Sequence, residues 1–192
     1  MMNRVKVWFF SLSAMTLMAA SAVEIIAETT TSQPAFTVRK VEKQIVLYTI
    51  YRGSYDKVGI TIGKLFALAG QKGITPRGQV SYVYLNNPHY VSSEHWLTEI
   101  RIPVGEDALK FAGALGKITD VKALPAMEMA VAVKPEGQAD PGAIYDGLYT
   151  WIARQGYRAA DNACEIFLTN ATGGDYSQMK SEIMVPVKKL PE

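Results

Sequence analysis

Near the C-terminus lies the stretch Ala163-Cys164-Glu165-Ile166-Phe167-Leu168-Thr169-Asn170. Its β-branched and aromatic residues, closed by Thr-Asn, mark a β-strand. Glu165 stands in its first half, and a carboxylate is costly to withdraw from water without a partner. Such a glutamate either faces solvent on a half-exposed sheet or is held for a purpose.

Working outward, the same landmarks recur at an offset of 83 residues. Tyr82-Val83-Tyr84-Leu85-Asn86-Asn87 falls on Glu165-Ile166-Phe167-Leu168-Thr169-Asn170. Leu97-Thr98-Glu99-Ile100-Arg101-Ile102-Pro103-Val104 falls on Lys180-Ser181-Glu182-Ile183-Met184-Val185-Pro186-Val187, and Gly73 falls on Gly156. Two copies do not make a solenoid; they read as halves related by a pseudo-twofold.

Each half has the same order of elements. In the first, Phe36 to Tyr51 is a strand region. Gly53-Ser54 then turns the chain and Ser54 caps a helix from about Tyr55 to Lys72. Val58, Ile62, Leu65, Phe66 and Ala69 follow helical spacing, and Gly73 closes the helix. Strands near Tyr82–Asn86 and Leu97–Val104 follow, joined by a loop with Pro88, His89 and His95. In the second half Met127–Val133 is the opening strand and Asp140-Pro141 starts a helix. That helix buries Ile144, Leu148, Trp151 and Ile152 and stops at Gly156; strands at Ala163–Thr169 and Met179–Val187 complete the half. The connecting segment Asp107–Pro125 adds a strand at Ile118–Ala123. The expected fold is α+β, a duplicated strand–helix–strand–strand repeat with an antiparallel sheet and helices on one side.

Ahead of this body, residues 1–22 have the three parts of a cleavable signal peptide. Arg4 and Lys6 form a positive start, Val7 to Met18 an apolar centre too short to span a bilayer comfortably, and Ala20-Ser21-Ala22 a small-residue cleavage site. Ala27 is an alternative stop. Residues 23–35 read as a linker and 36–192 as the folded domain, with repeats at 36–106 and 124–190. The expected location is periplasmic or secreted, with no stable membrane insertion after cleavage. The formal charge of +2 comes from 20 basic against 18 acidic residues, and the two leader cations account for the excess, so no nucleic-acid partner is expected. The single cysteine, Cys164, excludes an internal disulfide, and the two histidines with it make no metal site. Cofactors are expected to be none.

Tyr-Val-Tyr-Leu-Asn-Asn-Pro at 82–88, Leu-Thr-Glu-Ile-Arg-Ile-Pro-Val at 97–104 and Cys-Glu-Ile-Phe-Leu-Thr-Asn at 164–170 resemble the GyrI-like small-molecule-binding domain. That domain also forms the effector-binding part of bacterial multidrug-sensing regulators. The resemblance covers about Phe36 to Lys189. It implies a ligand cleft on the pseudo-twofold, lined by aromatic side chains and holding a glutamate from the second half's inner strand, which is the place of Glu165. Two departures stand against the family pattern: the residues before Phe36 spell a leader and a linker rather than a helix-turn-helix, and the chain reads as exported whereas gyrase inhibition and transcriptional sensing both need a cytoplasmic location, so neither is carried over.

Strand parity puts Glu165 with Phe167, and Tyr82 with Tyr84, on shared faces. The cleft is therefore expected to be aromatic on both sides with one carboxylate off-centre, a receptor for a flat, hydrophobic small molecule, cations among them. Tyr51 reaches its rim. One of Tyr145, Tyr149 and Trp151 faces it, Tyr145 being a candidate ligand residue and Trp151 a core residue. Trp96 begins a strand after a long loop and is a candidate lid. Glu99 and Glu182 are equivalent under the shift and read as structural. Cys164 points to the opposite face, and Asn170-Ala171-Thr172 matches a glycosylation sequon.

Two functions of different classes fit these residues. One is an exported binding protein that captures hydrophobic or cationic compounds. The other is suggested by similarity to GyrI-like proteins that hydrolyse strained, cyclopropane-bearing genotoxins: Glu165 would be the catalytic general base beside a tyrosine donor. Haem or tetrapyrrole binding, through similarity to the SOUL group, ranks third because neither histidine falls on a core strand.

Overall fold

The computed structural model describes residues 35–88, 90–138, 140–169 and 179–191. The expected leader, all but the last linker residue, His89 and the Asn170-Ala171-Thr172 sequon lie outside them.

The β-branched and aromatic runs form strands, all paired antiparallel. In chain order they are β1 (Thr37–Val41), β2 (Gln44–Arg52), β3 (Ser81–Tyr84), β4 (Leu97–Val104), β5 (Thr119–Leu124), β6 (Met127–Lys134), β7 (Tyr157–Ala159), β8 (Cys164–Phe167) and β9 (Ser181–Lys189). They build one curled sheet, a half-barrel, in the order β1-β6-β9-β8-β3-β4-β2-β5, with the short β7 pairing β9 beyond the end of β8. Helices α1 (Val58–Lys72) and α2 (Gly142–Arg154) pack on one face of it.

The pairing of the two halves repeats at the offset read from the sequence. Ile45 faces Val104 in the β2–β4 ladder, and Glu128 faces Val187 in β6–β9. Ser81 faces Arg101 in β3–β4, and Cys164 faces Met184 in β8–β9. The halves join through β3 and β8, where Tyr82 lies directly opposite Glu165.

Three local expectations differ from the structure. Phe36 to Tyr51 is two strands, broken at the exposed pair Glu42-Lys43. β1 leaves the first half and pairs β6 of the second, where Phe36 and Val38 pack on the α2 core and Arg39 ion-pairs Glu182. Secondly, Tyr55 does not start the α-helix. Residues Tyr55–Lys57 form a 3₁₀ turn, and the Ser54 hydroxyl donates to the Asp56 carboxylate rather than capping the backbone. Thirdly, Val58, Ile62, Leu65 and Ala69 make the buried stripe of α1 without Phe66, which is 39% exposed.

Gly73 ends α1 in the left-handed conformation, φ 65°, and donates back to the Ala69 and Gly70 carbonyls. At α2 the Asp140 carboxylate accepts from the Gly142 N–H at 2.8 Å, with Pro141 just ahead of the first turn. On the sheet face away from the helices, Glu99 holds Arg101 at 2.5 Å and Lys122 at 2.7 Å. Its equivalent Glu182 holds Arg39 on that same face, so the shared structural role expected of the two glutamates is what the ion pairs show.

Candidate ligand-binding site

Period-two alternation sends the side chains of Tyr82, Tyr84, Glu165 and Phe167 to the helix side of the central strand pair. β9 contributes Ser181 to the same face, because it pairs Phe167, two positions along from Glu165. The result is a carboxylate enclosed by hydroxyls. Glu165 is 5% exposed. Tyr84 donates to its Oε2 at 2.5 Å, and Ser181 donates to its Oε1 at 2.5 Å. Among the described residues no lysine or arginine ion-pairs with it.

Tyr82 and Glu165 hold equivalent positions in the two halves, and the antiparallel β3–β8 pair puts them face to face at the junction.

Aromatic rings cover this centre. Tyr82 and Phe167 meet edge to face, centroids 4.6 Å apart at 71°. Tyr55 lies nearly parallel to Tyr82 at 6.4 Å, edge-on to Tyr84 at 5.9 Å, and against Trp96 at 4.8 Å. The 3₁₀ turn puts Tyr55 there by taking it out of the α1 helix. Trp96 anchors its own loop by donating from Nε1 to the Val91 carbonyl at 3.1 Å.

Tyr145 approaches from α2, packed on the second half's core, with its hydroxyl buried. Burial pushes the ionisation of the Tyr145 phenol far up, and the negative charge of Glu165 pushes it further. Tyr84 is raised well above the ordinary tyrosine value by burial first and by Glu165 second. Tyr55 is raised mainly by burial. All three phenols stay protonated donors at neutral pH.

The other expected residues lie elsewhere. Tyr51 does not reach Glu165: its hydroxyl donates to the Ser54 carbonyl at 2.6 Å, and its ring lines a separate surface concavity with Thr49, Leu65 and Ile118. It fastens the Gly53–Ser54 turn that carries Tyr55. A second concavity, along Lys43, Arg77, Pro103 and Glu106, is also remote from Glu165. Trp151 packs on Phe36 at 6.0 Å, and Tyr149 is largely exposed. Cys164 points to the opposite face, among Met129, Val131 and Met184, its thiol pushed up to about 11 chiefly by burial. His95 is exposed, its ring 3.0 Å from the Ser92 hydroxyl.

Two residues of the cluster escaped sequence reasoning. Tyr55 was concealed by its assignment to a helix start. Ser181 was legible in principle, since residues 181 and 183 share a face and Ile183 pairs Glu165.

Residues 113–188 match the family model of the GyrI-like small molecule binding domain. No curated protein matches it in sequence. Among solved structures, the EcmrR C-terminal domain superposes with a TM-score of 0.64 at 15% identity, covering 82% of this chain and 99% of that one. The EcmrR chain in a DNA complex gives 0.66 at 14%; the match covers 82% of this chain and spans only 58% of that longer protein. A structure described as a hydrolase from Listeria innocua gives 0.60 at 12%, covering 80% and 91%. At such identities the likeness concerns the fold. The GyrI-like match over residues 113–188 supports small-molecule binding in general.

Proposed function

We propose that the protein is an exported receptor that captures flat, hydrophobic small molecules, cations among them, over Glu165. One observation carries this reading: a buried carboxylate held, among the described residues, by hydroxyl donors alone, beneath the rings of Tyr55, Tyr82, Tyr84 and Phe167. A negative charge without a cationic partner in a low-dielectric site favours a cationic guest, and the rings supply apolar area and cation–π attraction. Trp96, in contact with Tyr55, is a built-in reporter.

Titration of the protein with a planar lipophilic cation such as rhodamine 6G, followed by tryptophan fluorescence, tests the reading. Saturable quenching is expected, with Glu165→Gln weakening the cation about tenfold while a neutral aromatic of similar size is held equally well. Equal affinity of the cation for both proteins would remove Glu165 from the reading. Export rests on the leader at 1–22. Mass spectrometry of the mature N-terminus checks it, and an intact Met1 would overturn it.

A second reading, hydrolysis of strained electrophiles, is favoured by the contact of Glu165 with the Tyr84 hydroxyl, which brings a base and a donor together. Incubation with a cyclopropane-bearing alkylator, with Glu165→Ala as control, distinguishes the two. Turnover lost in the variant supports the hydrolase; stoichiometric binding without product supports the receptor.

A further inference from the structure

We propose that Tyr145 is a specificity-determining residue of this site, a hydrogen-bond donor that selects flat, neutral aromatic ligands carrying a carbonyl or comparable acceptor. The inference rests on the receptor reading above and names a ligand class within it.

The hydroxyls of Tyr84 and Ser181 each donate to one oxygen of the Glu165 carboxylate. The Tyr145 hydroxyl is buried and, among the described residues, makes no hydrogen bond. Tyr145 packs on the core cluster that holds Ile183, the β9 residue paired with Glu165, so it comes to the carboxylate from the α2 side, whereas Tyr55 and Trp96 stack together on the side of the first half. A buried donor left unmade opposes folding, and in native proteins such groups call for an explanation.

The fold supplies none. At the offset of 83 the counterpart of Tyr145 is Ile62 of α1, a plain hydrocarbon 7% exposed in the same helical position over the sheet. The architecture accepts an apolar side chain there, so the hydroxyl is an addition specific to the second half, as Glu165 is relative to Tyr82. Both departures from symmetry converge on one centre. The two oxygens of Glu165 are already engaged, so the donor left over is Tyr145, and a donor is matched by a lone pair. An aromatic ketone, quinone or lactam lying against Tyr55 supplies one.

Equilibrium dialysis of the whole protein with 9-fluorenone and fluorene, identical in outline and differing by one carbonyl, tests the assignment. In Tyr145→Phe the affinity for the ketone is expected to fall about tenfold while that for the hydrocarbon stays within about twofold. Tyr149→Phe, on the same helix and 41% exposed, leaves both unchanged. The melting temperature of Tyr145→Phe is expected to equal or exceed that of the parent, since Phe, like Ile62, leaves no buried donor. Equal losses for both probes, no loss for the ketone, or a lowered melting temperature would each overturn the donor role and leave the receptor reading standing. Failure of the parent protein to bind either probe would overturn both.

Discussion

At Glu165 two hydroxyls do the work that solvent does for an exposed carboxylate, and the phenols around it bear the consequence. Tyr84 and Tyr145 have their ionisation raised, by burial first and by the Glu165 charge second. Folded, they keep their protons above pH 10; unfolded, they lose them at about that pH. Between these limits the unfolded chain binds fewer protons than the native one, so stability falls as pH rises. The stabilisation is whole below pH 10 and is lost above it, by about 1.4 kcal/mol per pH unit for each such tyrosine. Urea unfolding between pH 9 and 11.5 checks this. The double variant Tyr84→Phe/Tyr145→Phe is expected to lose most of the alkaline decline, and an equally steep decline in that variant would refute the account.

Among the elements, α1 carries two glycines with opposite roles. Gly73 ends the helix at φ 65°, where a Cβ is strained, so Gly73→Ala is expected to destabilise by about 1 kcal/mol. Gly63 lies within the helix and a Cβ added there meets nothing within 4 Å, so Gly63→Ala is expected to stabilise by about 0.5–1 kcal/mol. Thermal denaturation of the pair decides it; equal signs would show that backbone conformation is not the cause. Both glycines were readable as helix features, because helix spacing and termination are local. Neither the 3₁₀ turn at Tyr55 nor the exposure of Phe66 was. Ser54 has a choice between backbone N–H groups and the Asp56 carboxylate, and the type of residue does not settle that competition.

For the described domain, one continuous sheet joins the halves, with β3 on β8 at the centre and β1 crossing to β6. No weak boundary separates them, so unfolding is expected to be a single transition. Variants W8F/W151F and W8F/W96F retain Trp96 and Trp151 respectively as sole reporters of the two halves. Coincident urea midpoints are expected, and separated midpoints would mean that the halves unfold independently.

The α+β class, the two helices, most of the strands and the faces shared by Tyr82 with Tyr84 and by Glu165 with Phe167 were legible in the residues alone. These follow from periodicity and from residue type, which act over a few positions. Only the tertiary structure decided that β3 and β8 are neighbours in a register that sets Tyr82 against Glu165. It alone turned Tyr51 away, brought Tyr55 and Ser181 in, and left the Tyr145 hydroxyl buried beside the carboxylate. The physical reason is that strand adjacency and burial are set by pairing between residues more than 80 positions apart, and no local pattern records which hydroxyl will find a partner there.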